Sequence, residues 1–145
     1  MRGLIQRVNQ AAVTVGGERV GAIERGLCVF VGVTHGDRLE QAALLARRIW
    51  HLRIFEDGEG RANLSAEELS LPVLVVSQFT LYADTSRGRR PSFVHAAGPE
   101  EAEPLVDAVA DQLGSLGAQV ASGRFRTSMQ VSLVNDGPFT ILLET

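Results

Sequence analysis

The segment Val73-Leu74-Val75-Val76-Ser77-Gln78-Phe79-Thr80 decides the architecture. Four aliphatic residues, three of them β-branched, lead straight into Ser, Gln and Thr. A run apolar at every position, not at alternate ones, predicts a strand over 73–79 that is covered on both faces. The run Leu27-Cys28-Val29-Phe30-Val31-Gly32-Val33-Thr34 predicts a second such strand, in which Gly32 marks a bulge or a close backbone approach. Between them, residues 37–52 switch to helical period. Leu39, Ala42, Ala43, Ala46, Ile49 and Trp50 form one apolar stripe, Arg38, Glu40, Gln41, Arg47 and Arg48 lie off it, and Asp37 is the expected N-cap. Residues 99–116 repeat that period, with Ala102, Leu105, Val106, Val109 and Leu113 on one face. Pro99 suits the first turn and Gly114 and Gly117 suit the end, whereas Pro104 predicts a kink or a later start.

Further out, residues 4–8 and 11–15 read as short strands. Gly16-Gly17 is a two-residue hairpin signal, and residues 18–24 return from it. Residues 56–60 form a turn-rich loop. Ser65-x-x-Glu68 is a capping box with room for only a brief helix. Residues 85–90 form a polar loop. Residues 119–122, 129–135 and 139–143 read as the last strands, with Asp136-Gly137-Pro138 breaking the final two apart. The order of strands, helix, strand, helix, strands predicts an α/β fold over residues 1–145: a mixed sheet with two main helices packed on it. It lacks the regular βαβ alternation, the G-x-G-x-x-G and the P-loop of nucleotide-binding folds.

Composition narrows the function classes. The chain has 145 residues, enough for one domain to bury its own core. Hydrophobic residues at 45% and charged residues at 21% argue against disorder and low-complexity classes. One cysteine excludes an intramolecular disulfide framework and a Cys-rich zinc site, and Cys28, inside an apolar run, reads as a small buried hydrophobe. A net charge of −3 gives no bulk cationic surface for wrapping a duplex and says little about an enzyme that grips only one end of an RNA. All 14 basic residues are arginine, which excludes a lysine nucleophile or Schiff base. No apolar run is long enough for a bilayer, and Arg2 and Arg7 bracket too few apolar residues for a signal peptide, so the expected location is the cytoplasm.

The candidate chemistry sits in three segments. His35, His51 and His95 are scattered without ligand spacing, so no metal site is expected. Glu56, Asp57 and Glu59 read as turn residues, and Glu100, Glu101 and Glu103 complement a helix dipole. By contrast, a buried strand ending in Ser77, Gln78, Phe79 and Thr80 delivers hydroxyls, an amide and freed N–H groups to one sheet edge, where active sites gather; polar fraying of a strand end is the equal alternative. Asn135-Asp136-Gly137-Pro138 reads as a tight turn, either an ordinary hairpin or a cis X–Pro bond that sets two carbonyl oxygens on the same side of the chain. Arg87-Gly88-Arg89-Arg90-Pro91 is either a phosphate contact or a solvated loop.

Taken together, the sequence resembles the D-aminoacyl-tRNA deacylases, formerly D-Tyr-tRNA deacylases. The resemblance is carried by Leu4-Ile5-Gln6-Arg7-Val8, His51-Leu52-Arg53-Ile54-Phe55, Asn63-Leu64, residues 73–81 with their Ser-Gln-Phe-Thr motif, Arg90-Pro91-Ser92-Phe93, Gly123-Arg124-Phe125 and residues 129–138. These lie in order and at family spacing from residue 4 to residue 140. Phe139 departs from the family's usual valine, and Pro104 is unusual inside the second helix.

The resemblance implies a compact α/β domain with a barrel-like mixed sheet, forming a homodimer. It implies a tRNA substrate bearing a D-amino acid or glycine at its terminal adenosine, with no cofactor and no DNA or membrane partner. The implied reaction is ester hydrolysis, a chiral proofreading step in translation. Gly137-Pro138 is implied to be cis and to enter the partner subunit's site, fixing the substrate's α-amino group and rejecting L side chains by clash, with Arg7 holding the motif. The N–H groups of Phe79 and Thr80 are the oxyanion-hole candidates. On this resemblance Ser77 and Gln78 are expected to shape the site and bind the terminal adenosine. Thr80's hydroxyl competes with the substrate's own 2′-hydroxyl as the driver of hydrolysis; the latter is favoured because no base for Thr80 is visible. Three other classes stay open: a relative acting on L-aminoacyl-tRNA through a trans Gly-Pro bond, a non-catalytic RNA-binding dimer and a metal-dependent hydrolase.

Overall fold

The computed structural model describes residues 1–145. Its framework is one long strand, β1 (Arg2–Val15), where two short ones were expected. Both edges of β1 are paired along almost its whole length. One edge carries β2 (Glu18–Ile23) and then β3 (Gly26–Gly32), and the other carries β8 (Gln130–Glu144), all antiparallel. Pairing on both sides carries the strand across the polar Asn9-Gln10 that the sequence pattern reads as a break. The β1–β2 turn is the expected one, with φ of +56° at Gly16 and +85° at Gly17.

The two apolar runs lie side by side at the centre. β6 (Val73–Ser77) pairs parallel with β3, from Leu27 opposite Val73 to Val31 opposite Ser77, and β7 (Val120–Ser122) pairs parallel with β6. The crossovers contain the helices α1 (Leu39–Trp50) and α2 (Pro99–Ser115). A small hairpin of β4 (Phe55–Glu56) and β5 (Ala62–Leu64) frames the 56–60 loop. There the Asp57 carboxylate accepts the N–H groups of Glu59 and Arg61 at 2.8 and 3.0 Å, as a turn residue should.

The sheet separates two apolar cores. The larger joins Ile5, Leu27, Val29, Val31, Val73 and Val75 to the helices, and the smaller gathers Val8, Ala11, Val13, Ile23, Cys28, Leu74 and Val76 on the opposite face. β1 serves both because an irregularity around Val8 switches the face that its side chains present. The smaller core is enclosed because β2 curls onto β7. A Cβ on Gly21 would stand 2.6 Å from the Ser122 carbonyl oxygen, so only glycine permits the approach. The result is the expected α/β fold with a nearly closed, barrel-like sheet.

Three local expectations are corrected. α1 starts at Leu39 with Arg38 as N-cap, because the Asp37 carboxylate is engaged by the Thr34 N–H at 2.8 Å. Leu45 is buried in its stripe and Leu39 is exposed. Ser65 and Glu68 do make the reciprocal bonds of a capping box, at 2.7 and 3.2 Å, yet only turns follow. In α2 all five expected apolar residues are buried, and the helix starts at Pro99 and runs through Pro104. Pro104 and Glu100 both face solvent, so water can reach the carbonyl that proline leaves without a donor.

Candidate active site

β6 ends at Ser77, two residues earlier than the strand expected over 73–79. The Gln78 N–H still donates to the Val31 carbonyl at 2.8 Å; the backbone then leaves the sheet at φ −147°, ψ 82° and winds into a 3₁₀ turn, Phe79–Tyr82. Gly32 on β3 is the close approach that its position suggested. A Cβ there would meet the Gln78 carbonyl oxygen and the Leu81 Cβ at 3.1 Å each. The far end of the turn is clamped by Arg2, which donates from Nη1 to the Leu81 carbonyl at 2.8 Å and lies 4.5 Å over the Tyr82 ring. Burial, with a further push from Asp37, raises the Tyr82 hydroxyl to about 12.

This construction sets up a pair of donors. The first N–H groups of a short helix have no acceptor within it, and here they belong to Phe79 and Thr80. The Gln78 side-chain amide donates to the Thr80 hydroxyl oxygen. Phe79 is exposed and meets Phe93 edge-on, with ring centroids 5.1 Å apart.

Ser77, Gln78 and Phe79 line a cleft of about 640 Å³. Its other walls are Val31, Val33 and Val76 of the sheet region, Phe93, the first turns of α2 through Ala102 and Val106, and the segment Phe125-Arg126-Thr127-Ser128-Met129. Thr80 stands beside the cleft, outside its lining. Arg126 is the single charged residue in the lining, so no carboxylate, imidazole or thiol is at hand as a general base there. A predominantly apolar pocket with hydroxyls, an amide and free N–H donors at one end is suited to positioning an already reactive bond and stabilising an oxyanion. The Phe125–Met129 wall carries no pattern that would mark it locally. It reaches the site because Val75 pairs with Ser122 and the Gly123 N–H bonds the Val75 carbonyl at 2.9 Å.

The second group of candidates lies elsewhere. β8 does not turn back at Asp136-Gly137-Pro138, as a break between two strands predicted. It continues along β1, and the pairing skips from Gln6–Thr140 to Val8–Asn135, so residues 136–139 bow out opposite Arg7. The Gly137–Pro138 peptide bond is cis, and both residues are exposed. Arg7 is only 4% exposed. It donates to the carbonyls of Ile54 at 2.6 Å, Asp136 at 3.1 Å and Gly137 at 3.4 Å, pairs with the Asp136 carboxylate at 2.8 Å and lies 4.3 Å over the Phe139 ring. The Asn135 amide closes the bow, donating to the Arg7 and Phe139 carbonyls at 2.9 and 3.2 Å. Neither Gly137 nor Pro138 lines the cleft of its own chain.

The remaining titratable residues do not join these groups. His35 pairs with Glu101 at 3.3 Å and His51 with Glu67 at 3.2 Å, both on the surface. No three His, Cys, Asp or Glu side chains are gathered where they could hold a metal ion. No helix is long and apolar enough to cross a membrane.

Comparison with known proteins shows what the chain is similar to. A family model described as D-Tyr-tRNA(Tyr) deacylase matches residues 4–144. A D-aminoacyl-tRNA deacylase of Roseiflexus sp. (strain RS-1) is 57% identical over 145 residues, covering 100% of this chain and 94% of that protein. One from Streptomyces coelicolor is 56% identical, covering 99% of each. Among solved structures, the c-Myc DNA Unwinding Element Binding Protein superposes with a TM-score of 0.94 at 38% identity, covering 100% of this chain and 99% of the other. A probable eukaryotic D-amino acid tRNA deacylase superposes with a TM-score of 0.84, covering 98% and 97%; at 17% identity it speaks to the fold alone.

Proposed function

The chain belongs to the D-Tyr-tRNA(Tyr) deacylase family, and on that premise we propose how its two separate groups of residues share one reaction. It is a D-aminoacyl-tRNA deacylase, a hydrolase that cleaves the ester joining a D-amino acid to tRNA. The cleft beside Ser77, Gln78 and Phe79 receives the terminal adenosine and its ester. The N–H groups of Phe79 and Thr80 hold the developing oxyanion, and the substrate's 2′-hydroxyl activates the attacking water. The observation that carries this reading is the cleft itself, which offers N–H donors, a hydroxyl and an amide beside apolar walls and no group able to act as a base. An aminoacyl ester is activated already, so positioning and charge stabilisation are sufficient.

Gly137 and Pro138 serve the cleft of a second protomer in a homodimer. Support comes from their exposure, their absence from the lining of their own chain's cleft and the buried Arg7 that bonds the Gly137 carbonyl. Their carbonyl oxygens take the substrate's α-amino group, and an L side chain collides with them. Backbone recognition ignores side-chain identity, so many D-amino acids are accepted, and glycine, with nothing to collide, is hydrolysed as well. The enzyme acts in the cytoplasm on charged tRNA, as proofreading requires.

The test is deacylation of matched D-Tyr-tRNA, L-Tyr-tRNA and Gly-tRNA, each with and without chelator. Hydrolysis of the D and glycyl esters with sparing of the L ester, chelator present or not, is expected. Equal loss of D and L esters overturns the role of Gly137 and Pro138. A solved relative is named for binding a DNA element, so nucleic-acid binding without turnover is the second reading; hydrolysis of any ester excludes it.

A further inference from the structure

The loop between the 3₁₀ turn and α2 is not used by the reaction described so far. It is built to project charge. Asp84 and Ser92 close its base through paired backbone bonds, Asp84 N–H to the Ser92 carbonyl at 2.8 Å and Ser92 N–H to the Asp84 carbonyl at 2.9 Å. The Asp84 carboxylate accepts the Ser86 N–H at 2.9 Å, and Gly88 reverses the chain at φ +80°. Arg87, Arg89 and Arg90 occupy the tip. All three are exposed and none makes an ion pair.

Six of the other eleven arginines are held by carboxylates or backbone carbonyls, while Arg19, Arg38 and Arg47 are also free but stand apart from one another in the sequence. Arg2, Arg7, Arg61 and Arg124 pair with carboxylates, and Arg48 and Arg53 bond backbone carbonyls. Arg87, Arg89 and Arg90 are nonetheless the densest cluster of free guanidinium groups in a chain of net charge −3. Their position is specific too. Phe93, the residue after the loop's closing Ser92, is a wall of the cleft and packs on Phe79. Arg126, likewise without a carboxylate partner, lines the same cleft. The cleft thus has an apolar interior beside the ester-binding turn, Arg126 on its wall and a three-arginine loop that joins its rim at Phe93.

We infer that Arg87, Arg89 and Arg90, with Arg126 on the cleft wall, bind the backbone phosphates of the single-stranded nucleotides that precede the terminal adenosine. The inference rests on the deacylase reading for the identity of the substrate. Guanidinium groups suit the task because their planar donors match phosphate oxygens two at a time. Contacts of this kind position a chain without reading its bases, as suits an enzyme that accepts many tRNAs.

The test compares a phosphate-bearing substrate with one lacking phosphate. D-Tyr-tRNA and 2′(3′)-O-D-tyrosyl-adenosine are hydrolysed by the wild-type protein and by a variant combining Arg87→Gln, Arg89→Gln and Arg90→Gln. The three side chains are exposed and Gly88 is untouched, so the loop retains its base. KM for the tRNA is expected to rise roughly tenfold, and the dependence of log kcat/KM on log salt to become shallower by about 2, near 0.7 for each single-strand phosphate that the variant leaves unneutralised. Hydrolysis of the adenosine ester stays at the wild-type rate. An unchanged KM and salt slope with tRNA overturn the inference. So do equal losses on both substrates, which would mean that the loop shapes the cleft. If the wild-type protein hydrolyses neither ester, the deacylase reading fails instead. The salt slope for binding uncharged tRNA, wild type against variant, then decides the phosphate rim: a shallower slope in the variant supports it, and an unchanged slope overturns it.

Discussion

Arg7 and Asp136, 129 positions apart in the chain, meet through a single nitrogen: Arg7 Nε contacts both the backbone carbonyl of Asp136 at 3.1 Å and its carboxylate at 2.8 Å. The remaining guanidinium nitrogens reach Ile54 and Gly137. One buried side chain thereby ties the bowed segment of β8 to the core beneath it. Replacing it leaves the buried Ile54 carbonyl and the partly buried Asp136 and Gly137 carbonyls without their donor. Arg7→Ala is expected to lower the unfolding free energy by about 2–4 kcal/mol, read as a lower urea midpoint at unchanged m-value. Deacylation of the D ester falls with it because Gly137 loses its anchor. Arg7→Lys keeps the charge but not the planar set of donors, and recovers only part of both losses.

Thr80 separates two catalytic schemes. If the substrate's 2′-hydroxyl drives hydrolysis, Thr80→Ala keeps kcat within about tenfold of wild type, since the backbone N–H survives. Near-total loss of turnover in a protein that still gives the wild-type circular dichroism spectrum would sink that scheme and restore the hydroxyl as nucleophile.

The oxyanion role of the Phe79 N–H can be isolated with two substitutions. Phe79→Ala removes the ring and its edge contact with Phe93 but keeps the donor. Phe79→Pro removes the donor too, at the first position of the 3₁₀ turn, after a Gln78 whose backbone is already outside the helical region. The proline variant is expected to be about 10²–10³ slower in kcat than the alanine variant, the usual effect of losing one oxyanion donor. Equal rates would remove this N–H from the mechanism.

Gly21 seals the barrel-like sheet. Gly21→Ala forces a methyl to within 2.6 Å of the Ser122 oxygen and is expected to cost about 1–3 kcal/mol in thermal or urea unfolding. Gly58, with open space around its Cα and no positive φ, is the control. Gly58→Ala is expected to be neutral or to stabilise by about 0.4–1 kcal/mol through the unfolded chain.

Cys28 gives a pH prediction. Burial pushes its thiol from an ordinary value of 9.0 up to about 12, because the thiolate has no solvent or partner in the smaller core. The folded state therefore favours the protonated form. Its contribution to stability is complete below pH 9 and is lost between pH 9 and 12, where the unfolded thiol ionises first. At about pH 8, iodoacetamide should leave the native protein unmodified and label it once in urea; rapid labelling of native protein would contradict the burial.

The legible part of this protein was its local grammar. The apolar runs at 27–31 and 73–76 were readable as central strands, because short runs rich in β-branched residues and apolar at every position suit strands covered on both faces. The α2 stripe was readable because five residues at helical spacing specify a face without help from any neighbour. The Ser77–Thr80 segment was readable as a strand end rich in hydrogen-bonding groups, but not as a 3₁₀ turn, since the exit angle is set by Gly32 on another strand. Of the Phe125–Met129 wall only the two ends, Phe125 and Met129, belonged to segments that carried the family resemblance, and its place in the cleft follows from parallel pairing of β6 with β7. Arg7 in an alternating strand carries no sign of burial. Its acceptors arrive from Ile54, just ahead of β4, and from residues 136–137, which a pairing irregularity between strands at opposite ends of the chain bows out opposite it. Periodicity records which way a side chain points within its own element. Which partner lies there depends on how distant elements are registered, and that registration, set by long-range pairing and close packing, was decided by the tertiary structure alone.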